Sequence, residues 1–525
     1  MTQVVIPTAG IGSRLGTLTR NINKALMPVG TRPAISYIID FYPLTYKFII
    51  ALGYKGDYIK DYLSIAYPHR KFTYIKVDPY EGKGSGLGLT LKKCKKYIKE
   101  DFFFHSNDGI IIDKIDFETI KSDTIFLSDR NVDALKYRTA KLSKNAIIKL
   151  FDKTTKKNPN TYNYVGVAYI KDFKKFNNYL SKISIELGES DYFISKIKKK
   201  DEILSIKVKN WYDVGDIDDL KRAQKEISDF DNLPKEDEFI YFNDKRVIKF
   251  FIQPELSQKR IKRAKILKGF VPKIVATKKN FYAYDYVEGE LFSKKIDLYK
   301  DLDHFLKYCK KFFWVKIKLN AKNKEIFKKV CFKFYYDKTL ERISSFYQNH
   351  DIQDNREIIN TAKTDTLNNL ISSINWDDLS CGIPTRIHGD FHFENILYTD
   401  KEKYQFIDWR QDFGGILEYG DMYYDLAKLY HGIIVDHGAI RNNMFRISMS
   451  DSNNIIDYEI YRKQTSYDCE NIFFNFLEKN KISVKKVKIL TALIYLNIAT
   501  LHHQPYSIFL YYLGKSMLNK VLHEK

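Results

Sequence analysis

The stretch from Arg386 to Trp409 constrains this chain more than any other. It reads RIHGDFHFENILYTDKEKYQFIDW. Within it, Asp390 follows a His-Gly pair, Asn395 comes after four more residues, and a run rich in apolar residues ends in Asp408. Phosphoryl transfer needs a carboxylate that orients the attacking hydroxyl, and oxygen ligands that hold magnesium on the phosphates. Asp390 suits the first task, and Asn395 with Asp408 suits the second.

This stretch resembles the aminoglycoside phosphotransferase and choline kinase family, whose pattern is His-Gly-Asp, four residues, Asn, and then Ile-Asp-Trp. The resemblance implies a bilobal, protein-kinase-like α+β domain that uses ATP. It also implies that Asp390 is the catalytic base and that Asn395 and Asp408 are magnesium ligands. Asp421 and Asp425, in GDMYYDLAKLYHGI, resemble the start of the helix that follows in the family. We interpret these two carboxylates as structural groups that fix the catalytic loop.

The N-terminal part has a different pattern, in which short apolar runs alternate with helical periodicity. Strands are predicted at 4–6, 48–52, 74–77 and 102–105, with helices between them. Such alternation indicates βαβ units and a mostly parallel sheet covered on both faces. A turn with Gly10, Gly12 and Gly16 follows the first strand. Its spacing fits neither the dinucleotide fingerprint nor a P-loop, so the turn alone is a weak signal.

The residues around this turn resemble the opening signature of sugar-phosphate and phosphocholine nucleotidyltransferases. The matching residues are Gly10, Gly12, Ser13, Arg14, Lys24, Pro28, Val29, Arg32 and Pro33. Two usual prolines of the signature are replaced, by Thr17 and Asn23. The resemblance implies an α/β fold, a Rossmann-like mixed sheet of the GT-A type. It implies catalytic roles for Arg14 and Lys24, and a nucleotide cradle formed by Ala9, Gly10, Gly12 and Ser13.

Further residues extend this resemblance. Asp108, after the fourth strand, and Asp213, in the Trp-x-Asp-Val-Gly motif of NWYDVGD, lie where the family has its metal carboxylates. Asp213 could instead be a turn residue at the start of a helix, and Asp216 is a competing ligand. Gly86 resembles part of the family's base-binding loop, and Gly166 part of its acceptor-binding strand. Glycine-rich loops that enter a helix are, however, common without any ligand.

A polar stretch around Pro234 separates the two patterns. We predict a nucleotidyltransferase domain at 1–227, a linker at 228–238, and a phosphotransferase domain at 239–525. The latter would have a small lobe at about 239–292 and a large lobe at about 293–525. Lys249, in a predicted hairpin, resembles the strand lysine that contacts nucleotide phosphates, but an outward-facing strand lysine explains it equally well.

Composition sets broad limits on function. The net charge is +22, with 44% hydrophobic and 29% charged residues, and the lysines are spread along the chain. This favours solvated faces first and small anionic ligands such as nucleotides second; no nucleic-acid-binding module is evident. Five distant cysteines and the lack of a signal peptide indicate the cytoplasm. No run is apolar enough to span a membrane, which leaves peripheral membrane contact and oligomerisation open.

Together the two resemblances imply a bifunctional enzyme that uses Mg²⁺ at both sites. It would phosphorylate a small hydroxyl compound with ATP, and then couple the product to a second nucleotide such as CTP, with release of pyrophosphate. Choline-like alcohols and sugars are both open as substrates, and surface polysaccharide or lipid headgroups are the expected destination. The alternative is a sugar-1-phosphate nucleotidyltransferase whose kinase-like domain is regulatory or modifies an antibiotic.

Overall fold

The fold is seen in a computed structural model, which describes residues 2–130, 136–153, 161–227, 237–294, 298–399, 403–450 and 454–524. By internal contacts the chain forms two compact units. The first contains residues 1–254 and 275–286, and the second contains residues 255–274 and 287–525. Most of the predicted linker, residues 228–236, lies outside the described residues.

The first unit contains strands and helices that alternate along much of its length. Its strands are β1 (Gln3–Pro7), β2 (Pro28–Val29), β3 (Arg32–Pro33), β4 (Lys47–Leu52), β5 (Lys71–Lys76), β6 (Phe102–His105), β7 (Gly109–Ile111), β8 (Thr124–Ser128), β9 (Thr139–Ser143), β10 (Ala146–Phe151), β11 (Thr161–Ile170), β12 (Leu204–Lys207), β13 (Trp211–Asp213), β14 (Glu238–Asn243), β15 (Arg246–Phe251), β16 (Ile274–Thr277) and β17 (Phe281–Asp285). Its helices are α1 (Ala34–Phe41), α2 (Gly56–Ala66), α3 (Leu87–Cys94), α4 (Phe173–Lys182), α5 (Glu189–Lys198) and α6 (Ile217–Ile227).

The main sheet of this unit has nine strands in the order β5-β4-β1-β6-β11-β8-β12-β10-β9. β1 pairs in parallel with β4 and β6, but β11 is antiparallel to both β6 and β8. The sheet is therefore mixed, as the family resemblance implied. The alternation of strands and helices predicted a mostly parallel sheet, which is wrong for the half beyond β6. There β11 is antiparallel to β6 and β8, and β10 is antiparallel to β9 and β12, whereas β12 and β8 are parallel.

The main sheet is buried on both faces. Val4 and Ile6 belong to one apolar cluster and Val5 to another, so successive side chains of β1 enter opposite cores. All four residues of β6 are buried as well. Because β1 and β6 are parallel neighbours, their carboxyl ends meet at one edge. The glycine turn after β1 and Asp108 after β6 are thereby brought together, where open α/β sheets bind ligands.

A second sheet of the first unit has the order β14-β15-β17-β16. Tyr241, Ile248 and Phe250 from this sheet share one apolar cluster with residues of α1 and α2. The Tyr241 hydroxyl donates a hydrogen bond to the Leu26 carbonyl at 2.7 Å. The compact units thus do not follow the predicted boundaries, since these strands, assigned to a small lobe at 239–292, pack in the N-terminal unit. The reason is their apolar face, which the N-terminal helices cover.

The second unit is mainly helical. Its helices are α7 (Pro254–Ile266), α8 (Leu298–Tyr308), α9 (Ala321–His350), α10 (Leu367–Ser372), α11 (Trp376–Leu379), α12 (Met422–Ile434), α13 (His437–Arg441), α14 (Gln464–Lys479), α15 (Val484–Ala499) and α16 (Tyr506–His523). Its strands are β18 (Glu290–Leu291), β19 (Glu357–Ile359), β20 (Ala362–Thr364), β21 (Pro384–Thr385), β22 (Ile396–Thr399), β23 (Lys403–Phe406), β24 (Gly420–Asp421), β25 (Phe445–Met449) and β26 (Ile455–Ile460).

The stretch from Arg386 to Trp409 lies between β21 and α12. Residues 386–395 form an irregular loop that ends in a 3-10 turn, Phe393–Asn395, and the β22–β23 hairpin then leads to Asp408. α12 is buried along almost its whole length, so it gives this loop a rigid support. Among the described residues, no helix is long and apolar enough to cross a membrane.

Candidate active sites

The predicted residues of the first unit meet at the edge of the main sheet. The Lys24 ammonium lies 2.9 Å from Asp108 Oδ2, and the Arg14 guanidinium lies 3.6 Å from the same oxygen. Lys24 begins a 3-10 turn that Asn23 caps by accepting a hydrogen bond from the Ala25 amide. Gly12 has a φ of +72°, and a Cβ there would lie 3.1 Å from Lys24 Cβ, so the glycine lets the turn pass close to the lysine.

Asp213 completes this cluster. A Cβ added to Gly215 would lie 2.8 Å from Asp213 Oδ1, 3.1 Å from Arg14 Nη2 and 3.2 Å from Asp108 Oδ2. Both carboxylates and the guanidinium therefore surround one point. The pairing of β13 with β7 creates this proximity, because it places Asp213 opposite Gly109.

The electrostatics of the two carboxyl groups differ. Burial alone would raise the pKa of Asp108, but Lys24 and, less strongly, Arg14 lower it to about 2. Burial, reinforced by the charge of Asp108, raises the pKa of Asp213 to about 6. The Tyr137 hydroxyl donates to Asp213 Oδ2 at 2.5 Å, and the Gly215 amide donates to Oδ1 at 2.6 Å. A cation placed between the carboxylates would relieve their repulsion.

The residues predicted to bind the nucleotide and the acceptor differ in their surroundings. Ala9 is buried, Gly10 has open space beside its Cα, and Ser13 is exposed at the start of a 3-10 segment. Gly166 has a φ of +78°, and a Cβ there would clash with Ser106, which is close to Asp108. Gly86 is the N-cap of α3, and a Cβ there would lie 2.3 Å from the Ile185 carbonyl oxygen. Its glycine is thus required by packing against the segment before α5.

Sequence reasoning missed three residues of this site. Tyr137 holds Asp213, as described above, and Lys136 pairs with Asp216 and Asp219. Asp216, the competing ligand, is thereby engaged by a lysine. Asn23 is fully buried, and its amide donates to the carbonyls of Thr8 and Tyr54 at 3.0 and 2.7 Å. Asn23 was noticed only as a departure from the usual proline; Tyr137 stands in no recognisable motif.

In the second unit, the loop residues Asp390 and Asn395 are in direct contact. Asn395 Nδ2 donates to the Asp390 carbonyl at 2.9 Å and lies 3.4 Å from the Asp390 carboxylate. Among the described residues no donor reaches Asn395 Oδ1, so this oxygen is available as a ligand. Burial would raise the pKa of Asp390, but Lys428 and His392 hold it well below its usual range. Asp390 is therefore ionised at neutral pH and can accept a hydrogen bond from a hydroxyl group.

Asp408 lies directly after the β22–β23 hairpin. The Ile407 amide donates to the Asn395 carbonyl at 2.9 Å, which keeps the two predicted metal ligands adjacent. Asp408 has a φ of +59°, a conformation uncommon outside glycine, asparagine and aspartate. Its Oδ1 pairs with Arg260 of α7, a contact that no sequence motif indicated.

Asp421 and Asp425 both accept hydrogen bonds from backbone amides, but only Asp425 contacts the loop that carries Asp390. Asp425 accepts hydrogen bonds from the amides of His388 and Gly389, both at 2.8 Å, and so fixes the backbone just before Asp390. Asp421 caps α12 through the Tyr423 amide and accepts from the Tyr335 hydroxyl at 2.7 Å. Burial raises the pKa of each to about 6.

Two lysines, Lys428 and Lys249, form ion pairs with carboxylates. Lys428 Nζ lies 2.9 Å from Asp390 Oδ1. Sequence reasoning missed it, although it stands one helical turn after Asp425 on α12. Lys249 is in the first unit, where it is buried and lies 3.1 Å from Glu238 Oε1 on the neighbouring strand. It is therefore not an outward-facing strand lysine, and its contact with a nucleotide stays a prediction.

The residues of both sites fit a magnesium ion. Asp108 with Asp213, and Asn395 with Asp408, supply the hard oxygen atoms that Mg²⁺ prefers. No group of three or more His, Cys, Asp or Glu side chains in the described parts of the chain could hold a metal ion. Each pair would thus need phosphate oxygens of the substrates to complete the coordination, as is usual for Mg²⁺.

Comparisons with known proteins also distinguish an N-terminal part from a C-terminal part of the chain. Residues 363–446 match the model of the phosphotransferase enzyme family, APH. The N-terminal part is similar to the bifunctional protein GlmU of Methanocaldococcus jannaschii, with 27% identity over 231 residues, or 43% of this chain and 54% of that protein. It is also similar to glucose-1-phosphate cytidylyltransferase of Salmonella typhimurium, with 28% identity over 130 residues, or 21% and 51% of the two chains.

The chain spans about half the length of these curated relatives. Among solved structures, CTP:phosphocholine cytidylyltransferase from Streptococcus pneumoniae is 19% identical, with coverage of 43% of this chain and 99% of that one and a TM-score of 0.36. The N-terminal part of the chain is thus similar to nucleotidyltransferases, and a C-terminal segment, residues 363–446, matches the APH family model. Both groups consist of transferases.

Proposed function

We propose that this protein is a bifunctional transferase that phosphorylates a small hydroxyl compound and then activates the product with a nucleotide. The proposal rests on one observation above all: each unit brings its own set of carboxylates and cations together. Arg14, Lys24, Asp108 and Asp213 form one set, and Asp390, Asn395, Asp408 and Lys428 form the other. Neither set would be needed by a purely structural domain.

In the first reaction, the acceptor hydroxyl attacks the γ-phosphorus of ATP. The new bond joins the acceptor oxygen to that phosphorus, and the bond to the β,γ-bridging oxygen breaks to leave ADP. Asp390 orients the hydroxyl and receives its proton. Asp425 supports this step indirectly, since it fixes the amides of His388 and Gly389.

In the second reaction, a phosphate oxygen of the phosphorylated compound attacks the α-phosphorus of a nucleotide. Pyrophosphate leaves with the α,β-bridging oxygen. Lys24 and Arg14 neutralise the charge that gathers on the phosphates, and the turn at Ala9 to Ser13 positions the nucleotide. CTP is the proposed nucleotide, and Gly86 and Gly166 are proposed to contact the base and the acceptor. Magnesium, when bound, would add positive charge at the phosphates in both sites.

The product would be a nucleotide-activated building block for surface polysaccharide or lipid headgroups. A direct test incubates the full-length protein with ATP, CTP, magnesium and a pool of small alcohols, sugars and hydroxy acids, and identifies products by mass. We expect a phosphorylated intermediate followed by its cytidylyl derivative. Asp390→Asn should abolish formation of the intermediate but convert one that is supplied, since loss of a general base costs ~10²–10⁴-fold in rate.

Lys24→Ala should abolish nucleotidyl transfer but leave phosphorylation intact, so that the phosphorylated intermediate accumulates. Asp377→Asn and Lys71→Ala change exposed charges outside both sites and serve as matched controls. If both activities vanish in folded Lys24→Ala, the two reactions share one site and the proposal of separate sites is wrong. If Asp390→Asn phosphorylates its acceptor at the wild-type rate, the assignment of Asp390 is wrong. If the wild-type protein phosphorylates no acceptor but still releases pyrophosphate with a supplied sugar phosphate, the alternative with a regulatory kinase-like domain gains support.

A further inference from the structure

A group of cationic side chains lies beside Asp390 in the second unit. Lys428 Nζ is 2.9 Å from the Asp390 carboxylate. Lys338 Nζ of α9 is 4.8 Å from the centroid of the Phe334 ring, and Arg410 Cζ is 5.1 Å from the centroid of the same ring. Together with Arg342, one turn after Lys338 on α9, these residues are called the cation cluster below.

Three members of the cation cluster, Lys338, Lys428 and Arg410, act electrostatically on Tyr424, a buried residue of α12. The Tyr424 ring packs edge-on against Phe334, with centroids 5.0 Å apart. Burial would raise the pKa of Tyr424, yet Lys338, Lys428 and Arg410 together lower it below its ordinary value. Burial of Lys338 lowers its pKa as well, and the charges of Arg410, Lys428 and Arg342 add to this effect.

The cation cluster has more positive than negative charge. Asp390 pairs with Lys428, but in the described part of the chain Lys338, Arg342 and Arg410 form no ion pair. The Arg410 Nε is buried and has no hydrogen-bond partner in that part either. Arg410 packs directly against Gly389. A Cβ at Gly389 would lie only 2.7 Å from Arg410 Cβ, so the glycine is needed for this close approach.

Several uncompensated cations at a half-buried site are unfavourable unless an anion joins them. Arginine is well suited to carboxylate and phosphate groups, which it binds through parallel hydrogen bonds. We propose that the acceptor of the kinase reaction carries an anionic group, a carboxylate or a phosphate, which Arg410 and Lys338 bind while its hydroxyl faces Asp390. This inference rests on the proposed kinase function and specifies its substrate class.

The same geometry argues against a choline-like acceptor. A quaternary ammonium would meet like charges at this site instead of the carboxylates and open aromatic faces that attract it. The Phe334 ring, which lies against the cation cluster, already has Lys338 and Arg410 beside it. A neutral sugar would leave the cations unpaired.

The experiment compares matched acceptors on the full-length protein with saturating Mg-ATP. Glycerate is paired with glycerol, glucuronate with glucose, and glucose 6-phosphate with glucose, and choline is added as a cationic acceptor. Release of ADP gives kcat/KM, and mass spectrometry identifies the product. We expect an anionic member to exceed its neutral partner at least about 10-fold, and the carboxylate and phosphate arms show which anion is preferred.

Variants assign the preference to the cation cluster. Lys338→Met and Arg410→Gln should raise KM for the best anionic acceptor about 10-fold or more and leave KM for ATP unchanged, and Arg410→Lys should restore part of the loss. Lys329→Met is the control, since Lys329 is 71% exposed on the same helix. Circular dichroism and thermal melts identify any variant that fails to fold. If Arg410→Gln does not fold, Lys338→Met remains as an independent test.

Three outcomes would overturn the inference. Better phosphorylation of glycerol, glucose or choline than of their anionic counterparts would refute it while leaving the kinase function in place. A rise in KM for ATP instead of the acceptor would show that the cluster binds the nucleotide. Failure to phosphorylate any acceptor, with ATP binding intact, would refute the proposed kinase function itself.

Discussion

Single residues in this protein have roles that depend on buried polar contacts. Asn23 is an example, because its side chain joins three backbone segments immediately before Lys24. The usual proline at this position could not make these hydrogen bonds. The chain therefore positions its lysine through side-chain hydrogen bonds, which a proline ring could not make.

We expect Asn23→Ala to weaken nucleotidyl transfer and to destabilise the first unit. The substitution leaves the carbonyls of Thr8 and Tyr54 without their donor in a buried place, which costs on the order of 1–3 kcal/mol for each group. Steady-state rates with a supplied phosphorylated substrate measure the first effect, and hydrogen exchange of the peptides around 3–26 measures the second. Unchanged exchange and rates would show that Asn23 has no positioning role. Kinase activity is the internal control.

Glu189 provides a prediction about pH. Its Oε1 accepts a hydrogen bond from Tyr164 at 2.9 Å, but Oε2 is buried without a partner in the described residues. Burial raises the pKa of Glu189 from 4.5 to about 7. The folded state thus binds a proton more tightly than the unfolded state, so the stability contribution of this group is present below pH 4.5 and is lost as pH rises through 7.

We expect Glu189→Gln to remove this dependence. Relative to wild type, the variant should gain stability between pH 5 and pH 8, by on the order of 3 kcal/mol if the full shift is expressed. Hydrogen exchange of peptides from 161–198 at several pH values follows the relevant part of the structure. A difference between the two proteins that does not change with pH would contradict the assignment.

At the scale of elements, α12 organises the kinase loop. Its N-cap Asp421 accepts hydrogen bonds from the amides of Ile383 and Tyr423 and from the Tyr335 hydroxyl. One turn later, Asp425 holds the amides before Asp390, and Lys428 pairs with Asp390 itself. The first two turns of one helix thereby fix both the position and the charge of the proposed base.

Asp421→Ala should therefore cost more than loss of an ordinary helix cap. A cap is worth about 1 kcal/mol, and the buried donors left without an acceptor add about 1–3 kcal/mol each. Asp172→Ala is a matched control, since Asp172 caps α4 through the Lys175 amide at an exposed place. Thermal unfolding and kinase activity are compared for both. A change in melting temperature no larger than that of the control would contradict the prediction.

At the scale of the whole molecule, the sequence pattern and the packing divide the chain differently. The change in pattern near Pro234 predicts separate halves. The sheet β14-β15-β17-β16 nevertheless belongs to the first compact unit, where Arg246 donates to the Ile65 carbonyl at 2.8 Å and Phe250 packs against Tyr58 with ring centroids 5.0 Å apart. A chain cut near Pro234 would expose this apolar contact on both pieces.

We therefore expect the two pieces to stay associated. Burial of Tyr241, Ile248 and Phe250 contributes roughly 1.5–3 kcal/mol for each side chain, and cleavage of a connecting loop does not remove these contacts. A protease site inserted within 228–236 and cleaved after purification tests this by gel filtration. Co-elution with both activities is the expected result. Separation into an active 1–230 fragment and an active remainder would instead support two independent domains.

The sequence by itself determined those parts of the two sites that are local in the chain. Asp390, Asn395 and Asp408 lie within one short stretch, and the glycine turn precedes Lys24 closely, so their spacing reflects the local geometry that the chemistry requires. The mixed character of the sheet followed from the family resemblance, and the approach of Asp108 to the glycine turn followed from strand order. The capping role of Asp421 is seen only in the structure.

Only the tertiary structure decided what surrounds those residues. Tyr137 reaches Asp213, Arg260 reaches Asp408, and Arg410 meets Lys338 at the Phe334 ring although these residues are far apart in the chain. The apolar face of β14 and β15 has the same periodicity whichever unit it packs against, so its partner could not be read from the pattern. Contacts between distant segments depend on how complementary surfaces pack, and a local sequence pattern contains no information about which surface that will be.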